Sequence, residues 1–176
     1  MIQRILCPTN LTEESKTGIA YALSVAKENG SQLVIFHATS FPSFAQYPGE
    51  LEGFYRWDQL LGKFKMDHIL AEAELRVRNF VRATFESESN GVAWNTRVGL
   101  GNVAEEIVTA ALQEEVDLIV LARSEKGTLA RLFAGSISEA VSKSAPCPVL
   151  TIDATKTIWH RRAWRVPAFR EILQNS

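Results

Sequence analysis

The stretch that decides the fold runs from Asp117 to Ile152, DLIVLARSEKGTLARLFAGSISEAVSKSAPCPVLTI. Leu118 to Leu121 is a continuous apolar run of strand length, and Val149 to Ile152 is a second, reached through Cys147-Pro148. Runs of this kind mark strands covered on both faces. Between them Ser136 and Glu139 stand in S-x-x-E spacing, which predicts a capping box opening a helix that ends near Ser144. A helix that starts at Gly135-Ser136 offers free backbone N–H groups and a positive dipole end, the setting in which parallel α/β proteins hold phosphate. The loop before it, however, carries Ala122 and Glu125 where a phosphate cradle wants glycine. On residue chemistry alone a plain N-cap is the preferred reading of Ser136, because one Gly-Ser pair is a weak signal.

The rest of the chain repeats the same unit. Residues 2–7 read as a short strand stopped by Pro8, with a turn Pro8-Thr9-Asn10. Thr12 is placed to cap a helix with Glu13 and Glu14 in its first turn, Ile19, Ala22, Leu23 and Ala26 on one face, and Gly30 at its end. Leu33 to His37 is another buried strand. Phe41 to Gly53, rich in proline, glycine and aromatics, reads as an ordered loop extending to about residue 57. A long helix follows, roughly Asp58 to Glu86, with Leu61, Phe64, Leu70, Ala73, Val77, Phe80 and Val81 near one face. Val92, Trp94, Thr96 and Val98 alternate as in a strand with one face more exposed. Asn102 then caps a helix running to about Glu115. Strands alternating with helices over short connections predict a parallel, doubly wound α/β sheet with right-handed crossovers.

Bulk properties agree with one such domain. The chain has 176 residues, 46% hydrophobic and 22% charged, with a net charge of −1. That balance argues against bulk nucleic acid as a partner. Cys7 and Cys147 are far apart, with no CxxC spacing and no metal-ligand set, which fits a reducing compartment. No apolar run reaches membrane-spanning length, and the opening MIQRILCPTN is too short in its apolar part for a signal peptide, so the cytoplasm is the expected location.

Ligands of such sheets bind beyond the carboxyl ends of the strands, where strand order reverses. Three loops qualify: Pro8-Thr9-Asn10, His37-Ala38-Thr39, and Ala122 to Ser136. The segments ILCPTNLTEES, VIFHA, GNVAEEIVTAA and GSISEAVSKSAPCPVLTI together resemble the universal stress protein family over residues 1–152. The resemblance implies a single-domain, five-stranded parallel sheet in the order 3-2-1-4-5, of the adenine-nucleotide alpha hydrolase-like type. It also implies a homodimer formed through the last strand, here Val149, Leu150, Thr151 and Ile152. One branch of the family binds ATP and another does not.

The ATP-binding branch spaces three glycines before a serine or threonine, and these positions fall on Ala122, Glu125, Gly135 and Ser136. An aspartate near the ribose falls on Asn10, beside Pro8 and Thr9, and the backbone contact to adenine falls on Ala38. Arg123 lies inside the same loop. Asn10 is a mild change, since it keeps a hydrogen-bonding side chain of the same shape. Glu125 is severe: a carboxylate facing a triphosphate is repelled by about 1 to 4 kcal/mol, depending on how wet the site is. Arg123, Lys126 and Arg131 can offset that, or bound Mg²⁺ can turn Glu125 into a ligand. The expectation is a degenerate nucleotide site with weak or absent ATP binding. The alternative is an ATP or other adenine-nucleotide site with a Mg-assisted, atypical phosphate loop.

Other candidates favour structural roles. His37 ends a buried strand and reads as a hydrogen-bonded structural histidine; His68 and His160 have no partner at catalytic or metal spacing. Ser124 and Ser138 have no nearby histidine, so no catalytic residue is assigned and the chain is not expected to be an enzyme. Residues 153–176 form a separate extension with five basic residues (Lys156, Arg161, Arg162, Arg165, Arg170) against two acids (Asp153, Glu171). Its Trp159, Trp164, Val166 and Phe169 are expected to dock on the body or on a sister subunit.

Overall fold

In chain order the elements are β1 (Arg4–Pro8), α1 (Glu13–Asn29), β2 (Gln32–Thr39), α2 (Leu51–Phe85), β3 (Trp94–Leu100), α3 (Val103–Gln113), β4 (Leu118–Arg123), α4 (Ala130–Ser144) and β5 (Val149–Asp153). The computed structural model describes residues 2–39, 51–123 and 130–153, with the side chains of 51–66, 123 and 130–136 left out. The five strands form one parallel sheet in the order β3-β2-β1-β4-β5. The order reverses at β1, whose neighbours are β2 and β4.

Alternation along the strands sorts the core into two layers. Ile5, Cys7, Leu33, Ile35, Leu118 and Val120 point to one face and pack with Ile19, Leu23 and Ala26 of α1 and Val77, Val81 and Phe85 of α2. Leu6, Val34, Phe36, Ile119 and Leu121 point to the other and meet Ile107, Ala110 and Ala111 of α3 and Val141 of α4. Ile5, Leu6, Leu33, Val34, Ile35, Ile119 and Val120 are fully buried. Each contributes about 1.5–3 kcal/mol relative to exposure, which is why these apolar runs dominate the fold. At the amino end of the strands, the Asp117 carboxylate accepts from the N–H groups of Gln3 (2.7 Å) and Arg4 (2.9 Å), fixing the start of β1 beside β4.

Several boundaries differ from the sequence expectation. Pro8 is the last residue of β1 rather than its stop. It is tolerated because its missing N–H would face β4 beyond the last β1–β4 pair, Leu6 with Ile119. Thr12 takes the N-cap position of α1, yet its side chain makes no capping bond; its hydroxyl donates to Asn10 Oδ1 at 2.7 Å. At the other end Gly30, at φ 66°, donates its N–H to the Ala26 carbonyl as expected. α2 begins at Leu51, so the expected loop is shortened to residues outside the described set. Its 35 residues span about 50 Å. Asn102 caps α3, its Oδ1 accepting from the N–H groups of Ala104 and Glu105. β3 is a sheet edge, which explains its mixed burial: Thr96 is buried and Arg97 exposed. The extension beyond Asp153 lies outside the described residues.

Candidate functional site

The sheet order sets the ends of β2, β1 and β4 side by side, so Ala38, the Pro8-Thr9-Asn10 turn and Ala122-Arg123 line one crevice. The N-termini of α1 and α3 open on the same side. These are the positions singled out in the sequence, apart from Glu125, which lies outside the described residues. Gly135 and Ser136 belong to α4, but not to its start.

That last point corrects the expected capping box. α4 begins at Ala130, five residues before Gly135. The first four N–H groups of a helix are the ones without an internal partner. Gly135 and Ser136 are past them, so their N–H groups are taken by the preceding turn. Ala130, Arg131 and Leu132 are strong helix formers, and they extend the helix upstream of the Gly-Ser pair. Glu139 is likewise not a cap: its Oε1 accepts from Lys143 Nζ at 2.7 Å, one helical turn on, which lowers its pKa.

Ala122 is an ordinary strand residue. It pairs with Ile152 of β5 and is absent from the residues of positive φ. Its methyl group points to the α1 face and meets Gly18. A methyl built on Gly18 would stand 3.0 Å from the Ala122 Cβ and 3.3 Å from its nitrogen. The helix therefore approaches the end of β4 closely because Gly18 has no side chain. Sequence reasoning missed Gly18; nothing local distinguishes it from any glycine in a helix.

The β1–α1 turn is closed on itself. Leu11, at φ 61°, donates its N–H to Thr9 Oγ1 (3.0 Å), and the Thr9 hydroxyl donates to Ser15 Oγ (2.9 Å). Asn10 Oδ1 accepts from both the N–H and the hydroxyl of Thr12. An aspartate-like acceptor for a ribose hydroxyl is thus already engaged, leaving Asn10 its amide donors.

His37 has the structural bond expected of it, with a consequence for the crevice. Its Nδ1 lies 2.8 Å from the Thr9 carbonyl. A carbonyl only accepts, so Nδ1 carries the proton. The β1–β2 ladder runs as far as the Thr9 N–H donating to the Phe36 carbonyl. In a parallel strand alternate residues turn both backbone groups to alternate sides. Phe36 faces β1, and Thr39, whose carbonyl accepts from Gly101, faces β3. Ala38 therefore faces β1 beyond that strand's last register pair, Pro8 with Phe36.

On the α3 side the Glu106 carboxylate sits over Gly99, the register partner of Ala38. A methyl on Gly99 would stand 2.5 Å from Glu106 Oε2 and 2.8 Å from Phe36 Cζ, so both glycine and carboxylate are fixed by close packing. The thiols are inert by environment. Burial pushes Cys7 up to about 12, and burial together with Asp117 raises Cys147. Among the described residues no group of histidines, cysteines and carboxylates is placed to hold a metal, and no helix is long and apolar enough to cross a membrane.

A parallel sheet in the order 3-2-1-4-5, with its order reversing at β1 and helices on both faces, defines a doubly wound α/β protein. The model of the universal stress protein family matches residues 1–153, and the chain belongs to that family. It is 28% identical over 156 residues to the universal stress protein MJ0531 of Methanocaldococcus jannaschii, covering 89% of this chain and 85% of that one. Among solved structures it is similar to universal stress protein UspA from Lactobacillus plantarum, with 23% identity, 86% of this chain and 97% of that chain covered, and a TM-score of 0.56. A universal stress protein solved in complex with cAMP is similar at 19% identity, with 86% and 97% covered and a TM-score of 0.53. At these identities the structures speak for the fold.

Proposed function

We propose that the chain is a cytoplasmic, non-enzymatic regulator that acts as a homodimer through protein contacts, with a degenerate nucleotide site and weak or no affinity for ATP. The observation that carries this is the position of Gly135 and Ser136 inside α4, where their N–H groups belong to the helix's own ladder and are not free for a phosphate. The closed β1–α1 turn points the same way.

Dimerisation through β5 is supported by its place at the end of the sheet. The Pro148 carbonyl accepts from Ile119, so alternation turns the backbone groups of Val149 and Thr151 to the outer edge. An edge of this kind is a template for another strand. Two-fold pairing with a second copy satisfies those groups.

Titration calorimetry with ATP and Mg²⁺ tests the reading. The expected result is no saturable heat; a micromolar dissociation constant overturns it. Binding that requires Mg²⁺ and is weakened by Glu125→Ala would instead establish the Mg-assisted alternative.

A further inference from the structure

α2 carries two apolar stripes, and one of them packs on the sheet. Ala73, Val77, Val81 and Phe85, four residues apart and all buried, form the packed stripe. Leu75 lies about 200° round the helix from Ala73. It is 56% exposed. Reading back from Leu75 in steps of four and three gives Ala71, His68, Phe64, Leu61, Trp57 and Phe54, all within α2. His68 and Ala71 are exposed as well. A helix lying on a sheet needs one apolar stripe. A second stripe, repeating every 3.5 residues or so on the opposite face, is what a pair of helices needs.

Charge at the flanking positions says which helix fits. With Phe54, Leu61, His68 and Leu75 at heptad position a, Asp58, Lys65 and Glu72 fall at e, and Leu60, Asp67 and Glu74 at g. Parallel pairing of two copies sets each g against the following e, which brings Asp67 to Glu72, both acids. Antiparallel pairing sets e against e. With Leu61 level with Phe64 of the second copy, Lys65 falls opposite Asp58 of the second copy. Glu72 then falls beside the start of the other α2, a helix end that favours acids. Glu74 is taken by Arg78 and Thr96 of its own chain, and Arg78, the next d position, ends the stripe. The seam is complementary to itself turned round a two-fold axis.

We infer that α2 pairs antiparallel with α2 of a second copy through this seam. The contact is separate from β5: α2 packs over β2 and β3, and β5 is at the other end of the sheet. It therefore joins β5 dimers into larger assemblies. The seam is short, and His68 and Ala71 interrupt its large apolar positions, so it assembles above micromolar concentration. The inference goes beyond the proposed function and does not depend on it.

Sedimentation equilibrium of the full chain, from micromolar to near-millimolar concentration, tests it. The mean mass is expected to rise about twofold or more across that range. Phe64→Glu, at the middle of the seam, is expected to hold the mass at its starting value. Leu75→Glu, at an exposed position that the core does not use, is expected to raise the concentration needed about tenfold. Asp58→Lys and Lys65→Glu each set like charges face to face and should suppress the rise. The two together should restore it, which a misfolded variant could not do; a double variant no better than the singles overturns the antiparallel pairing. Hydrogen exchange across residues 54–64 separates the other occupants. Protection that grows with concentration supports the second copy. Full protection already at micromolar concentration assigns the seam to a contact within the chain or the β5 dimer, residues 154–176 among them, and overturns the inference. A constant mass also overturns it and leaves the proposed function standing. A rise from monomer that Phe64→Glu abolishes supports the inference and overturns the β5 dimer instead.

Discussion

Gly18 and Ala122 form a contact whose energetics can be worked out from the structure. Gly18→Ala places a methyl 3.0 Å from the Ala122 Cβ and 3.3 Å from its backbone nitrogen. Overpacking of this kind costs about 1–3 kcal/mol, offset by about 1 kcal/mol from the better helix propensity of alanine. Ala122→Gly loses about 0.8 kcal/mol of buried methyl and a further 0.5–1 kcal/mol or so of strand stability. In the double variant the methyl moves from strand to helix, the clash is relieved and the gap is refilled. Its expected loss is under about 1 kcal/mol, smaller than the sum of the singles by at least about 1 kcal/mol. Urea unfolding of the four proteins measures the coupling. Additive effects would refute the contact. The same proteins titrated with ATP should show no gain from Ala122→Gly, because the methyl points at α1.

Other consequences follow from single sites. Asp117→Ala removes two charge-assisted bonds to the N–H groups of Gln3 and Arg4 and should cost about 2 kcal/mol in urea unfolding; a neutral result would mean the start of β1 is held otherwise. Glu115 occupies the left-handed region at φ 49°, so Glu115→Gly should raise stability by about 1 kcal/mol, seen as a higher melting temperature. Burial moves the Cys7 thiol from 9.0 to about 12, so between those values the folded chain holds a proton that the unfolded chain has lost. Stability should therefore fall as pH rises through that window, and Cys7→Ala should show a shallower fall. A slope identical in the two proteins would contradict that.

The parts of the fold legible in the sequence were those written in local chemistry. LVIF and DLIVL announced covered strands by continuous apolarity, and Asn102 and Gly30 announced a cap and a stop by backbone need. Boundaries set by competition were less legible. Ser136 and Glu139 have the spacing of a cap, but the helix formers before Gly135 carry the helix further upstream. Thr12 has a capping side chain, but Asn10 two residues earlier engages it. The site was legible as a set of loops, since the order of strands brings their ends together. What those loops do was not. The Gly18–Ala122 approach, the seat of Glu106 on Gly99 and the His37–Thr9 bond join residues far apart in the chain, and no spacing rule reports them.

Native mass spectrometry of the protein, purified without added nucleotide and sprayed at micromolar concentration, tests the proposed function most directly because one spectrum reports assembly and ligand together. The expected spectrum shows a dimer of the 19.6 kDa chain with no added mass of ATP. A monomer, or a dimer carrying ATP, would contradict it.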